Sequence, residues 1–335
     1  MIRLAQPLYC ETLSIQKQGD VVISLFILFF ALISTTCQAL TVKKKTVFKG
    51  HSGAISQIVQ LENGNIATAS CDTTIKLWPA QKTYNQKPSC LITLQGHTAP
   101  VWSLYQLNAT TIISTSKDKT IKCWRLNWDT NKYINTENHP VHKKKPIVVL
   151  AKKENGDVFI YETNQESDHL FLKAPIHNKI LKKEDTSLVI INPVNQEKTV
   201  TFNGYIDKQK NDISAATILS DGTVATAFVH YNKACDWNDP YDFSNFTTSI
   251  QLWRDKKIIK TIQGDSKQVS SLVELPGNIL VSSSHGGQVC FWDITKEQPL
   301  ITSLDCHCAI TTMAFFGGDL YVGLYNGKVK VYTIL

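Results

Sequence analysis

The sequence predicts an all-β chain assembled from repeated sheet units, and two observations carry that prediction. Residues 50–78, GHSGAISQIVQLENGNIATASCDTTIKLW, align without a gap on residues 96–124, GHTAPVWSLYQLNATTIISTSKDKTIKCW, at a constant offset of 46. His51 falls on His97, Asp72 on Asp118 and Trp78 on Trp124. Within each copy, short apolar stretches alternate with turn residues such as Glu62-Asn63-Gly64-Asn65, as strands joined by tight turns do. The composition fits a folded chain: of 335 residues, 43% are apolar and 19% charged, enough for a sizeable core and too few charges for disorder.

Repeats of this length, opening on Gly-His and ending on Trp, resemble the WD-repeat family of β-propellers. The resemblance implies a ring of four-stranded blades and directs attention to weaker copies. Residues 269–293, VSSLVELPGNILVSSSHGGQVCFWD, contain the Trp292-Asp293 pair, with Gly264-Asp265 in the Gly-His place. Residues 213–253 form a further unit ending at Trp253. HCAITTMAFFGGDLYVGLYNGKVKVY ends at Tyr332, with His307 in the Gly-His place. ENGDVFIY and EDTSLVII give degenerate units ending at Tyr161 and Ile191. The unit ends predict a seven-bladed propeller over residues 40–335, with six or eight blades left open. The last unit stops after its third strand. Residues 41–48, TVKKKTVF, are expected to supply the fourth and close the ring, so that no free sheet edge remains.

The resemblance further implies a hydrogen-bonded chain joining the Gly-His histidine, the turn Asp, a second-strand hydroxyl and the Trp. Its positions here are His51, Asp72, Trp78 and His97, Asp118, Trp124, with Ser70 and Ser116, or Thr68 and Ser114, as the hydroxyls. Trp253, Trp292 and His307 hold the corresponding places in weaker copies. The set looks superficially like a Ser-His-Asp catalytic group, but a catalytic set occurs once and this one repeats in successive units. Its expected role is to satisfy buried indole and imidazole groups. The innermost strands offer Glu274 as their lone carboxylate and no histidine, so neither an acid–base pair nor a metal site is expected there. No enzymatic activity, cofactor or metal is predicted.

Asp305-Cys306-His307-Cys308 contains metal-ligating residue types. Adjacent residues of an extended strand point to opposite faces, which disfavours convergence on one ion. A disulfide involving Cys306 or Cys308 stays open for an exported chain. Nine cysteines, without a CxxC pair and with seven in the body, imply no complete disulfide framework. Cys71, Cys123 and Cys290 fall in apolar stretches, where a buried thiol acts as a small hydrophobe. Between the second and third strands of the 213–253 unit lies an insertion, YNKACDWNDPYDFSNFT, residues 231–247. It carries Tyr231, Trp237, Tyr241, Phe243 and Phe246 among acidic residues. Two readings compete: aromatic anchors for a partner, or a cap folded onto the ring. A calcium loop is the weaker third reading, since the Asp spacing lacks an alternating ligand pattern. Asn108-Ala109-Thr110 and Asn245-Phe246-Thr247 are glycosylation sequons, meaningful only in a eukaryotic secretory pathway.

Residues 1–39 read as a leader with an apolar segment at 21–36. The 13-residue apolar run Val21–Ile33, with Ser24 inside it, is short for a spanning helix and suits a signal peptide cut after Ala39, before Leu40. A retained membrane anchor through 21–36 is the alternative. Arg3 and Lys17 balance Glu11 and Asp20, so the body carries the whole net charge of +7. That excess is modest and without an aromatic-interleaved basic stripe, so no nucleic-acid partner is expected. The leading expectation is a monomeric, exported, non-catalytic scaffold for a protein or peptide. The alternatives are a propeller enzyme or small-ligand receptor using the central channel, and a ubiquitin-binding or assembly adaptor.

Overall fold

The structure, a computed structural model, describes residues 40–80, 88–127, 132–140, 147–152, 158–162, 180–184, 187–191, 198–202, 211–231, 246–264 and 267–335. The chain divides into two units, Met1–Thr41 and Val42–Leu335. The described residues of the second unit form strands and turns, with no helix. Among the described residues, no helix is long and apolar enough to cross a membrane.

The first strand is β1 (Val42–Phe48). Sheet I comes next, made of β2 (Ile55–Gln60), β3 (Ile66–Ser70), β4 (Ile75–Trp78) and β5 (Ile92–Leu94). Sheet II holds β6 (Val101–Asn108), β7 (Thr111–Ser116), β8 (Thr120–Asn127) and β9 (Lys132–Pro140). Sheet III is the pair β10 (Ile147–Lys152) and β11 (Val158–Glu162). Sheet IV is β12 (Ile180–Glu184), β13 (Ser187–Ile191) and β14 (Lys198–Phe202). Sheet V contains β15 (Asn211–Ile218), β16 (Val224–Tyr231), β17 (Phe246–Arg254) and β18 (Lys257–Gln263). Sheet VI contains β19 (Val269–Leu275), β20 (Ile279–Ser284), β21 (Gln288–Asp293) and β22 (Leu300–Asp305). Sheet VII runs β1, β25 (Val329–Ile334), β24 (Asp319–Leu324), β23 (Ile310–Phe316). Every pairing among these strands is antiparallel. β1 lies along β25 with Val42 opposite Ile334 and Phe48 opposite Val329.

Two expected unit ends need correcting. Tyr161 and Ile191 lie on the second strands of their sheets, β11 and β13, not on third strands as Trp78 does on β4. The reason is visible in the sequence: Glu154-Asn155-Gly156-Asp157 repeats Glu62-Asn63-Gly64-Asn65, the turn from first to second strand.

Each sheet's first strand packs on its neighbours: β2 against β23 and β6, β6 against β10, and β19 against β15 and β23. A bulge recurs at one position of these strands. Pairing skips one residue between Ile55 and Gln57, Val101 and Ser103, Ile213 and Ala215, Val269 and Ser271, and Ile310 and Thr312. The skipped residue is turned out of the ladder. In two cases its hydroxyl crosses to the next sheet. Ser56 Oγ donates to Val101 O at 2.5 Å, and Thr311 Oγ1 donates to Ile55 O at 2.6 Å. Further along, Leu104 N–H donates to Gln57 Oε1 at 2.6 Å and Met313 N–H to Ser271 Oγ at 3.3 Å.

The core lies between successive sheets. Trp124 packs with Ala67, Ala69, Leu77 and Leu94 of sheet I, and Trp292 with Ala225, Ala227, Leu252 and Ile262 of sheet V. Trp78 meets sheet VII through Phe48, Tyr321, Val329 and Val331. Its ring stacks on that of Phe48, with centroids 5.0 Å apart and planes 19° off parallel. Second strands are therefore covered on both faces. β3, Ile-Ala-Thr-Ala-Ser, is buried at every residue, its small side chains leaving room for the neighbouring indole. The outermost strands β18 and β22 leave Ile259 and Leu300 exposed.

Candidate functional site

The repeated polar residues converge at one end of sheets I and II. The Trp78 indole N–H donates to Thr68 Oγ1 at 2.9 Å, and Thr68 Oγ1 lies 2.8 Å from His51 Nε2. The other ring nitrogen, Nδ1, is 2.8 Å from Asp72 Oδ2. One proton arrangement serves all four groups: the indole donates to the hydroxyl, the hydroxyl to Nε2, and Nδ1–H to the carboxylate. Asp72 also accepts from Ser52 N–H, Thr74 N–H and Thr74 Oγ1, which ties the lead-in of β2 to the β3–β4 turn. Sheet II repeats the chain: Trp124 Nε1 to Ser114 Oγ at 2.8 Å, Ser114 to His97 Nε2 at 2.8 Å, and His97 Nδ1 to Asp118 at 2.8 Å.

Burial lowers the pKa of His51 and His97 despite the adjacent carboxylates, which keeps both rings neutral. Burial by itself would raise Asp72 and Asp118. Hydrogen bonds from Thr74 or Thr120, from backbone N–H groups and from the histidine outweigh it and hold both carboxyls below the usual range. With the imidazole committed on both nitrogens and both rings buried, neither set presents a base to solvent.

The bridging hydroxyls are Thr68 and Ser114, which corrects the choice of Ser70 and Ser116. Side chains two apart on a strand share a face, but Ser70 stands at the strand's end, beyond the reach of the indole. Its Oγ donates to Gly53 O at 2.9 Å and accepts from Asp72 N–H at 3.1 Å, closing the turn. Ser116 does the same with Ala99 O and Asp118 N–H. The indole-to-hydroxyl bond recurs in sheets V and VI, from Trp253 to Thr226 and from Trp292 to Ser282, each at 2.8 Å.

His307 is the second correction. Its side chain is 82% exposed, its φ is +52°, and Nδ1 pairs with Asp305 Oδ2 at 2.8 Å. The residue four before the first strand is His51 in sheet I and His97 in sheet II. In sheet VII it is Cys306. Cys306 is buried, and its Sγ faces the Tyr332 hydroxyl at 3.7 Å, so a thiol and a phenol replace imidazole and indole. Burial pushes the Cys306 thiol up, keeping it protonated.

The remaining sequence candidates take other places. Cys71 is exposed at the β3–β4 turn rather than buried, whereas Cys123 is buried and Cys290 half-buried. Cys306 and Cys308 are free thiols. Among the described residues no cluster of His, Cys, Asp and Glu could hold a metal ion. Glu274 accepts from Ser220 N–H and Ser220 Oγ, both at 2.7 Å, and so joins sheet VI to a turn of sheet V. Trp237, Tyr241 and Phe243 lie outside the described residues. The backbones of Tyr231 and Phe246 pair with each other as the last rung of β16 and β17.

The second-to-third-strand turns share one end of their sheets with the lead-ins to the first strands. Backbone bonds join them: Cys71 N–H to Ala54 O, Lys117 N–H to Pro100 O, His285 N–H to Gln268 O and Tyr325 N–H to Ala309 O, all at 2.8–3.0 Å. Tyr325 is 66% exposed there. Gly327, with φ +77°, holds its turn against the neighbouring sheet; a Cβ would fall on the His51 carbonyl oxygen and 2.8 Å from its carbon.

This geometry, antiparallel four-stranded sheets of which four are built on an indole–hydroxyl bond, defines a repeat protein. The profile of the family described as "WD domain, G-beta repeat" matches residues 42–79, 88–125 and 256–293. By that match these three segments are WD40 repeats, which is consistent with a WD-repeat protein. WD40 domains generally mediate protein–protein interactions and are generally non-catalytic scaffolds. No curated protein matches the chain. Among solved structures, the computationally designed Ika8 protein is similar over 87% of this chain and 99% of its own, at 17% identity and a TM-score of 0.55. That likeness concerns the fold alone.

Proposed function

We propose that the chain is a non-catalytic interaction scaffold, a seven-bladed β-propeller closed by β1 and exported by its leader, that binds a protein or peptide as a monomer. Seven sheets among the described residues, the packing of first strands on one another and the pairing of β1 with β25 support the ring. One observation carries the functional reading. In sheets I and II a buried histidine and an aspartate hold the turn from beneath, and the first residue of the turn differs from sheet to sheet: Cys71, Lys117 and Tyr325 are exposed and His285 is half-buried. A fixed frame under chemically varied outward residues suits recognition rather than catalysis. The aromatic insertion 231–247 is proposed to act in the same role.

Affinity capture with the full chain, compared with a Lys117→Ala/Tyr325→Ala variant and with one lacking residues 232–246, tests the reading. Partners lost from either variant while its melting curve is unchanged support it. Equal recovery by all three chains sinks the turn end as the binding surface. Export has its own test, N-terminal sequencing of the mature protein: a first residue of Leu40 supports it, and an intact Met1 favours an anchor.

A further inference from the structure

The turn from β6 to β7 is the hairpin Ala109-Thr110, closed by Asn108 opposite Thr111. Asn108 Oδ1 accepts from the Thr110 N–H and from Thr110 Oγ1, both at 3.0 Å, so the sequon Asn108-Ala109-Thr110 is folded back on itself. Both bonds fall on the oxygen. The amide nitrogen Nδ2 makes no hydrogen bond among the described residues, and Asn108 and Ala109 are exposed. Gln106 fixes the turn from the side: its Nε2 donates to Asn108 O at 3.1 Å, and its Oε1 accepts from the Glu62 N–H of sheet I at 2.8 Å. Glu62 and Asn63 beside it are themselves exposed, so a bulky group on Nδ2 meets solvent rather than core. The other sequon, Asn245-Phe246-Thr247, runs into β17, where Thr247 stands opposite His230, and its Asn245 lies outside the described residues.

Resting on the export reading, we propose that Asn108 is a site of N-linked glycosylation, its side-chain amide taking an oligosaccharide from a lipid diphosphate donor on a eukaryotic secretory route. In that transfer Nδ2 bonds to the anomeric carbon of the sugar and the bond from that carbon to the diphosphate breaks. The lipid diphosphate leaves with the electron pair, and the amide gives up one proton. The Thr110 hydroxyl positions the group: with Oδ1 held in the hairpin, the nitrogen is the free corner of the amide. The β6–β7 turn joins a first strand to a second, which in an antiparallel sheet puts it at the end opposite the second-to-third-strand turns of Cys71, Lys117 and Tyr325. A sugar there adds hydrated bulk to one end and leaves the proposed recognition surface uncovered.

The test expresses the full chain in a eukaryotic secretory host, once with its own leader and once behind a leader already known to direct secretion. Intact mass is measured before and after digestion with a peptide N-glycosidase. A glycosidase-sensitive mass increase is expected on the wild-type chain and on Asn245→Gln. It should vanish from Asn108→Gln and Thr110→Ala and persist in Thr110→Ser, which keeps the hydroxyl. Melting curves show that the variants fold. A secreted chain that begins at Leu40 and carries no sugar on Asn108, or carries one on Asn245 alone, would overturn the proposal. Sugar on Asn108 behind the substituted leader, with an unmodified chain starting at Met1 behind its own, keeps the site and removes the export reading. Partner capture before and after sugar removal should be equal. A change in capture would overturn the placement of the sugar away from the recognition surface.

Discussion

The Lys45 ammonium lies 2.7 Å from Asp319 Oδ2, joining residues 274 positions apart in the chain. Both side chains are nearly buried, at 10% and 7% exposure. Pairing of β1 with β25 skips a residue between Lys44 and Thr46, so Lys45 is the bulged residue, and the bulge aims its side chain inward. Thr333 Oγ1 donates to the other carboxylate oxygen at 2.7 Å. The first strand is thus held on the last sheet by a polar anchor as well as by its ladder.

Removing one partner of that pair strands a buried charge. Lys45→Met should lower stability by roughly 3–5 kcal/mol, whereas Lys45→Met combined with Asp319→Leu should recover part of the loss. Denaturant unfolding of the four chains of the cycle checks this. Additive losses would mean that the pair is not coupled.

Thr68 serves two partners at once. Thr68→Val keeps the shape but leaves the Trp78 N–H and His51 Nε2 unpaired, at a cost of about 1–3 kcal/mol. Thr68→Ser keeps the hydroxyl, as Ser114 does in sheet II, and should cost less than about 1 kcal/mol. Thermal melts of the two variants decide. A Val variant as stable as the Ser variant would remove the hydroxyl from the account.

Acid should weaken the fold in two stages. His51 and His97 have folded pKa values depressed below 6.5, so the unfolded chain binds their protons first. Their contribution is complete above pH 6.5 and is lost as pH falls from there through the folded values. Asp72 and Asp118 are depressed below 3.8, so theirs is lost only under stronger acid, below that pH. Melting temperature should therefore decline between neutral pH and pH 5, and a His51→Gln/His97→Gln variant should flatten that decline. An equal slope in the variant would place the acid sensitivity elsewhere.

Two glycines at positive φ should respond differently to alanine. Gly222, at +85°, has open space where a Cβ would stand, so Gly222→Ala should cost about 1 kcal/mol of conformational strain. Gly327→Ala adds a collision with the His51 carbonyl and should cost roughly 3 kcal/mol or more. Chemical denaturation measures both. Similar midpoints would show that the turn can move away from the neighbouring sheet.

Much of this was legible in the residues. The gap-free match of 50–78 to 96–124 established the repeat, because strand length, turn chemistry and the His, Asp and Trp spacing are all local properties. Trp253 was found 27 residues from its hydroxyl Thr226, where other sheets separate the pair by 10, since an insertion does not disturb the strands on either side. Tyr161 and Ile191 read as third-strand ends because apolar strands look alike; the turn sequence Glu154–Asp157 marks the first as a second strand, and for Ile191 the register decides.

The sequence by itself determined the repeat and the His, Asp and Trp of the polar chains in sheets I and II, which rest on spacings short enough to read along a strand. Tertiary structure decided the rest. Whether Thr68 or Ser70 meets the indole depends on how far the ring reaches across the sheet. Whether Cys306 or His307 turns inward depends on one backbone angle at a turn. That Lys45 would find Asp319 depends on bringing the first strand to the last sheet. In each case the deciding contact joins groups whose separation in the chain says nothing of their distance in the folded protein.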